Sequence, residues 1–194
     1  MEFEIIKFKS VTSTNDVAIN MIKEKKKICG CVYADLQTKG RGTHGKEWIS
    51  ENGNLFISLF FPLEKKYPSF SEFSIINPVI ISDVLNKFCY GEKLNLKFPN
   101  DVFLNKKKVC GVLQELITIK DKKFLIVGIG LNIISNPILK KIYKTTNLLL
   151  ETNKKPNIDE ILNQIVFSYK NFFINLNSYS YTNFKKKAEQ MSLN

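Results

Sequence analysis

Arginine, histidine and tryptophan are nearly missing from this chain of 194 residues: it has one of each, against 28 lysines. One histidine and four cysteines without a Cys-x-x-Cys pair supply no zinc-ligand spacing and no disulfide framework. Cys29, Cys31, Cys89 and Cys110 are therefore expected as buried or partly buried free thiols, and no protein-ligated metal site is expected. No apolar run reaches the roughly 18 residues that a spanning helix needs. Met1-Glu2-Phe3-Glu4 lacks the basic, then apolar order of a signal peptide. A cytoplasmic protein with no membrane partner is the expectation. Internal repeats and linkers are also missing, so residues 1–194 are expected to form one domain.

What remains is an ordinary globular composition, 44% hydrophobic and 24% charged, which can build a substantial core. The net charge of +11 suggests an anionic partner such as nucleic acid, a nucleotide or an acidic protein. The lysines are dispersed, however. The runs at 25–27, 106–108 and 185–187 fall at expected element ends and turns, where cations complement helix dipoles. Charge alone selects no partner.

Alternation over 3–8 predicts a first strand. Ser13 or Thr14 can then N-cap a helix running to about Lys27, with Asp16 as the acidic member of a capping box. Residues 28–36 read as a buried strand, 40–48 as a glycine-rich loop and 54–61 as a strand ended by Pro62. Helical spacing covers 69–88, with a kink expected at Pro78. Short strands follow at 94–98 and 102–104, then a turn at 105–107 and a long hairpin formed by 109–119 and 124–133. Beyond Pro137 the pattern is helical, strongest over 158–173. These elements predict an α+β fold, a mixed and mostly antiparallel sheet with packed helices.

Four segments carry residues suited to chemistry. The lone arginine, histidine and tryptophan fall together in Gly40-Arg41-Gly42-Thr43-His44-Gly45-Lys46-Glu47-Trp48. Glycine-permitted backbone conformations there can cradle an anion, and arginine adds a planar fork of donors. Neither a Walker A ending nor a following helix is present, so the loop matches no standard nucleotide fingerprint. Ser13-Thr14-Asn15-Asp16 at a helix start offers free N–H groups and hydroxyls, or simple capping. Lys97-Phe98-Pro99-Asn100-Asp101, with Lys108 seven residues on, brings lysine and carboxylate together, as a charge-stabilising site or a salt-bridged turn. Gly128-Ile129-Gly130-Leu131-Asn132 places glycines inside a strand, a sign of close approach by a ligand or by another backbone.

Together and in this order the segments resemble the catalytic domain of the biotin protein ligases. That family carries Ser/Thr-Thr-Asn, Gly-Arg-Gly-Arg-x-Gly-Arg-x-Trp, Lys-Trp-Pro-Asn-Asp, Lys-x-x-Gly-hydrophobic-Leu-x-Glu and Gly-x-Gly-x-Asn. The corresponding stretches here are 13–15, 40–48, 97–101, 108–115 and 128–132. The resemblance implies a fold similar to class II aminoacyl-tRNA synthetases. It also implies a two-step activity: activation of biotin by MgATP to biotinyl-5′-AMP, then transfer to a lysine of a biotin carboxyl carrier protein, by default that of acetyl-CoA carboxylase. Lys108 and Asp101 are the implied catalytic residues. Ser13, Thr14, Asn15, Gln37, Gly40, Arg41 and Gly111 are implied for biotin. Gly42, Thr43, His44, Gly45, Lys46, Trp48, Lys97, Asn100, Gly130 and Asn132 are implied for the adenylate. Trp48 is expected to pack under the loop, Arg41 to act largely through its backbone, and His44 falls at a variable position.

Two departures stand out: Thr43 and Lys46 replace arginines of the family pattern, and Lys46 cannot reproduce a bidentate fork. With the first strand starting at residue 2 or 3, no N-terminal winged helix is expected, and therefore no sequence-specific DNA binding. The C-terminal β-barrel of the family is expected to be missing after about 190. Homodimers occur in the family. The alternatives are a lipoate or octanoate enzyme of the same fold, in which Cys110 would invite a thioester reading, and a nonenzymatic binding module.

Overall fold

The computed structural model describes residues 1–137 and 144–193. Its seven strands are β1 (Ile5–Val11), β2 (Gly30–Gln37), β3 (Leu55–Pro62), β4 (Leu94–Lys97), β5 (Asp101–Leu104), β6 (Lys107–Ile119) and β7 (Lys122–Leu131). They form one sheet in the order β1-β2-β3-β7-β6-β5-β4. β1 and β2 run parallel, which requires a crossover, and helix α1 (Thr14–Lys23) supplies it. All other neighbours are antiparallel. The mixed, mostly antiparallel sheet with packed helices is the expected fold.

Side chains alternate across a strand, and β3 and β7 use this to separate two layers. Leu55, Ile57, Leu59 and Phe61 of β3 join Leu125, Val127, Ile129 and Leu131 of β7 in the main core. This face is covered by α2 (Phe70–Asn86), α4 (Ile158–Ile174) and α5 (Tyr181–Gln190). Phe61, Phe73 and Phe173 meet there edge-on or tilted, with the Phe61 and Phe173 centroids 4.9 Å apart. On the opposite face Phe60 and Ile126 pack against Ala18 and Ile22 of α1. One series of paired polar groups runs through the main core. Tyr169 donates to Asn77 Oδ1 (2.8 Å), Asn77 donates to Gln114 Oε1 (2.8 Å), and Gln114 donates to the Phe70 carbonyl (2.6 Å).

Element boundaries mostly follow the sequence pattern, with two corrections. Helix α1 stops at Lys23 rather than Lys27, because Lys25 turns into the left-handed region and the lysine run beyond Ile22 has no apolar face to bury. Ser13 is the N-cap residue but makes no side-chain cap bond, so the expected capping box with Asp16 does not form. Helix α2 does carry a capping box, between Ser69 and Glu72, and Pro78 lies within it. Asn105 and Lys106 both take positive φ, as a two-residue hairpin between β5 and β6 demands. The part of the expected helical region at 138–143 lies outside the described residues. Further on, α3 (Leu148–Thr152) precedes α4, and 191–193 runs beside β4 through Leu96 N–H to the Met191 carbonyl and Leu193 N–H to the Leu96 carbonyl.

Glu151 on α3 ties these parts together. It accepts hydrogen bonds from Lys107 (2.8 Å), Asn105 (2.9 Å) and the Thr146 hydroxyl. Burial alone would push its carboxyl up, but the bonds from Lys107, Thr146 and Asn105 outweigh burial and hold it below its ordinary value. A depressed native pKa stabilises the fold above the unfolded value, and that contribution is lost as pH falls through the native one. Glu151→Gln should therefore lower the melting temperature at pH 7. The gap between parent and variant should close as pH falls from about 5 to about 3, through and below the ordinary carboxylate range. A gap that stays constant over that interval would rule out a contribution from the Glu151 charge.

Candidate active site

The face of the sheet beneath the start of α1 is a grid of three rows. Strand register aligns Phe56, Gly130 and Gly111 in one row, Ser58, Gly128 and Leu113 in the next, and Phe60, Ile126 and Glu115 in the third. The first row has almost no side-chain height at its two glycines, and the Trp48 indole lies on it. A Cβ at Gly130 would stand 2.4 Å from the ring and one at Gly111 2.7 Å. In the second row Gly128 leaves space for Asn15, whose Oδ1 would lie 2.3 Å from an added Cβ.

Helix α1 delivers its first residues into the second row. Thr14 N–H donates to Gln37 Oε1 (2.9 Å), and the Thr14 and Ser58 hydroxyls are 2.7 Å apart. Ser58 also donates to Asn15 Oδ1, while Asn15 Nδ2 donates to Glu115 Oε2 (2.6 Å). Gln37 at the end of β2 completes the chain by donating to Ser50 (3.1 Å).

The loop at 40–48 folds back on itself as a small hairpin. Arg41 bridges Glu47, Gly42 N–H donates to the Lys46 carbonyl (2.6 Å), and Trp48 N–H to the Gly40 carbonyl (2.9 Å). His44 sits at its tip with φ of 57°. The Arg41 guanidinium points away from this turn. Both of its terminal nitrogens donate to Glu115 (2.8 Å each), and one also donates to Asp16 (2.7 Å). The Glu115 hydrogen bond, partly offset by burial, raises the guanidinium pKa above its ordinary value. Asp16 thus serves Arg41 rather than the helix cap.

At the other end of the cavity Lys108 pairs with Asp101 at 2.6 Å, both side chains only 13% exposed. The Lys108 ammonium also lies 5.3 Å from the centre of the Trp48 ring. Asn100 is held against β6 by its bond to the Val112 carbonyl (3.1 Å). Residues 144–146 run alongside Lys108, through Lys108 N–H to the Lys144 carbonyl and Thr146 N–H to the Lys108 carbonyl.

One cavity therefore gathers most of the residues expected from the sequence: Ser13, Thr14, Asn15, Gln37 and Arg41 at one end, Gly42, Thr43, His44, Lys46 and Trp48 from the loop, and Asn100, Asp101, Lys108, Gly111, Gly130 and Asn132 at the other. Gly40, Gly45 and Lys97 do not line it. Gly40 is instead the tight point of the hairpin, where a Cβ would stand 2.4 Å from the Trp48 carbonyl. Lys97 is exposed, with its ammonium 5.9 Å from the Phe103 ring. Ser58 and Glu115 had no assigned role from sequence. Glu115 was detectable by period two, since it alternates with Gly111 and Leu113 onto the same face.

Cys110 is fully buried, and burial pushes its thiol up to about 12. A thiol in that state is not a nucleophile near neutral pH. Among the described residues no group of three or more His, Cys, Asp or Glu could hold a metal ion, and no helix is long and apolar enough to cross a membrane.

The Biotin/lipoate A/B protein ligase family matches residues 7–132, and the chain belongs to it. The bifunctional ligase/repressor BirA of Escherichia coli is 33% identical over 124 residues, covering 63% of this chain and 38% of that protein. The biotin–[acetyl-CoA-carboxylase] ligase of Paracoccus denitrificans is 32% identical over 108 residues, 55% of this chain and 45% of that protein. The chain thus spans less than half the length of these two curated relatives. The structure of a biotin protein ligase from Aquifex aeolicus in complex with biotin and ATP superposes with a TM-score of 0.81 at 32% identity, covering 98% of this chain and 78% of that one.

The floor geometry is open to a direct check, because Trp48 is the only tryptophan. Gly130→Ala should displace the indole, shift its fluorescence emission, and cost about 1–3 kcal/mol through overpacking. An unchanged spectrum with unchanged stability would show that the ring does not rest on Gly130.

Proposed function

We propose that the chain is the catalytic part of an ATP-dependent ligase that activates biotin as biotinyl-5′-AMP and transfers it to a lysine of a biotin carboxyl carrier protein. The described residues act as one catalytic unit. The observation that carries this reading is the shielded Lys108–Asp101 pair at one end of a glycine-floored cavity, with a hydroxyl- and amide-lined recess at the other. It occurs in a family whose Aquifex aeolicus member binds biotin and ATP.

The residues fit these substrates. Arg41 Nε, Trp48 Nε1 and Asn132 Oδ1 are buried without hydrogen-bond partners among the described residues, and all three residues line the cavity. Two donors and an acceptor of this kind suit a polar ligand, since buried polar groups are rarely left unpaired. Ser13, Thr14, Asn15 and Gln37, with the backbone at Gly40 and Arg41, take the ureido ring. Gly111 acts indirectly, by letting the Trp48 ring lie close to the sheet beneath the bound ligand. The loop residues Gly42, Thr43, His44 and Lys46, with Trp48, Asn100, Gly130 and Asn132, serve the adenylate side, and Gly45 and Lys97, which do not line the cavity, are left out of it. Magnesium enters with ATP and neutralises phosphate charge.

In the first step a biotin carboxylate oxygen bonds to the α-phosphorus, and the bond to the bridging oxygen breaks, releasing pyrophosphate. Lys108 offsets the charge that gathers between carboxylate and α-phosphate. In the second step the carrier lysine amine attacks the anhydride carbonyl, AMP leaves, and the amine loses a proton. Asp101 sits where it can orient that amine or take the proton. The protein supplies positioning and charge rather than a covalent nucleophile, in keeping with the inert Cys110. The carrier is that of acetyl-CoA carboxylase, the substrate in the Paracoccus relative's name.

Pyrophosphate exchange into ATP should depend on biotin, and purified apo carrier domain should then be biotinylated. Exchange with lipoate or octanoate but not biotin would overturn the reading. Lys108→Ala should reduce exchange by about 10²–10³-fold, the usual effect of losing one charge-stabilising donor. Near-normal exchange would remove Lys108 from this role.

Thr43 offers no cation to the adenylate. Thr43→Arg should slow dissociation of biotinyl-5′-AMP about tenfold or more, since a hydrogen bond to a charged group contributes roughly 1.5–3 kcal/mol. An unchanged off-rate would show that loop charge does not govern retention of the intermediate.

A further inference from the structure

The geometry points to Glu115 as a positioning residue for biotin, acting through Arg41 and Asn15; this rests on the biotin reading above. One carboxylate joins three elements. Both terminal nitrogens of Arg41 reach it from the loop, Asn15 Nδ2 reaches it from the start of α1, and it stands on the same face of β6 as Gly111. The groups that would hold the ureido ring come from those same elements: Ser13, Thr14 and Asn15 from α1, and the Gly40–Arg41 backbone from the loop.

The roles of the two acids on Arg41 are unequal. Glu115 takes two bonds from the fork and is 25% exposed, while Asp16 takes one and is 41% exposed. Exposed ion pairs are weak and screened, and bidentate arginine–carboxylate pairs are the strong ones. The fork also accounts for the use of arginine at this position in a chain that otherwise uses lysine, because an ammonium cannot bridge both carboxylate oxygens in this way. The two terminal nitrogens of the guanidinium therefore act as a latch that holds the loop backbone in place, and only Nε is left for a ligand.

The lone arginine supplies an unusual test. An arginine-specific endoproteinase can cut this chain only after Arg41, so the rate of that single cut reports how firmly the loop is held. Glu115→Gln keeps the shape and an acceptor for Asn15 but loses the charge, and it should speed the cut about tenfold. Asp16→Asn should speed it less than about threefold. Digestion by a lysine-specific endoproteinase, read at lysines outside the loop rather than at Lys39 or Lys46, should stay at the parent rate in both variants. An unchanged Arg41 cut in Glu115→Gln would overturn the latch. So would a matching rise in lysine-specific digestion, which would mean general loosening.

For function, Glu115→Gln should raise the KM for biotin about tenfold while leaving kcat and the KM for ATP within about twofold. Arg41→Lys, which keeps the charge without the fork, should show the same pattern. A fall in kcat at unchanged biotin KM would overturn the positioning role. A parent enzyme with no biotin-dependent exchange would refute the functional reading instead, while the cleavage rates would still decide the latch.

Discussion

A β-strand shows each face only every second side chain, and in the paired strands β3, β7 and β6 that alternation separates two tasks. One set of positions is apolar and is covered by α2, α4 and α5; Leu59, Val127 and Leu131 belong to it. The other set is the grid under α1, with Gly128 at its centre, Gly130 and Gly111 in the row beside it, Ser58 next to the centre on β3 and Glu115 at one corner. A register slip of one residue would bring the glycines and Ser58 to the helix layer and turn the core outward. The long β6–β7 hairpin and the extensive hydrophobic face make that slip costly. The cavity is thus as well specified as the core, because the same hydrogen-bond ladder sets both.

On that grid, interactions of different kinds hold the cavity's two ends. At the α1 end the holding groups are polar and shared, running from Gln37 through Thr14, Ser58, Asn15 and Glu115 to Arg41. Networks of this type resist piecemeal change, since removing one member strands the next. At the other end a single shielded ion pair, Lys108 with Asp101, is braced by Asn100, which bonds to Val112 of β6, and by the segment at 144–146. Between them Trp48 lies on bare backbone. Its position links the loop to both ends: its N–H closes the hairpin on Gly40, and its ring faces the Lys108 ammonium.

The charge balance reads differently once the site is in view. A net charge of +11 suggests lysine as the working cation throughout. Yet of the runs at 25–27, 106–108 and 185–187 one follows α1, one lies in α5, and the third reaches the cavity through Lys108 on β6 alone. The loop's own cations are divided: Arg41 is committed to two acids beneath it, and Lys46 remains at the surface. Of the cations at the cavity, Lys108 is the shielded one, and its partner is a carboxylate rather than bulk water. Local burial, and not the overall charge, decides which cation can act on a bound anion.

Much of this was legible from residue order alone. Strand and helix types and the antiparallel majority followed from periodicity and spacing, because these depend on neighbours a few residues away, while the five motifs were joined into one site by the family resemblance. What the sequence could not decide is which groups meet. Asp16, read as a helix cap, bonds to Arg41 instead; Glu115, only a motif terminus, takes both arms of that arginine from 74 residues away. Lys97 carries the same motif weight as Asn100 but does not line the cavity: it ends β4 with an exposed side chain, while Asn100 sits in the turn that follows. Gly111 and Gly130 read as space for a ligand, and in the folded chain Trp48 lies on them. Each of these outcomes depends on contacts between distant segments, set by strand register and by the packing of α1 on the sheet. Local sequence specifies the elements, and the tertiary structure decides which of their side chains pair.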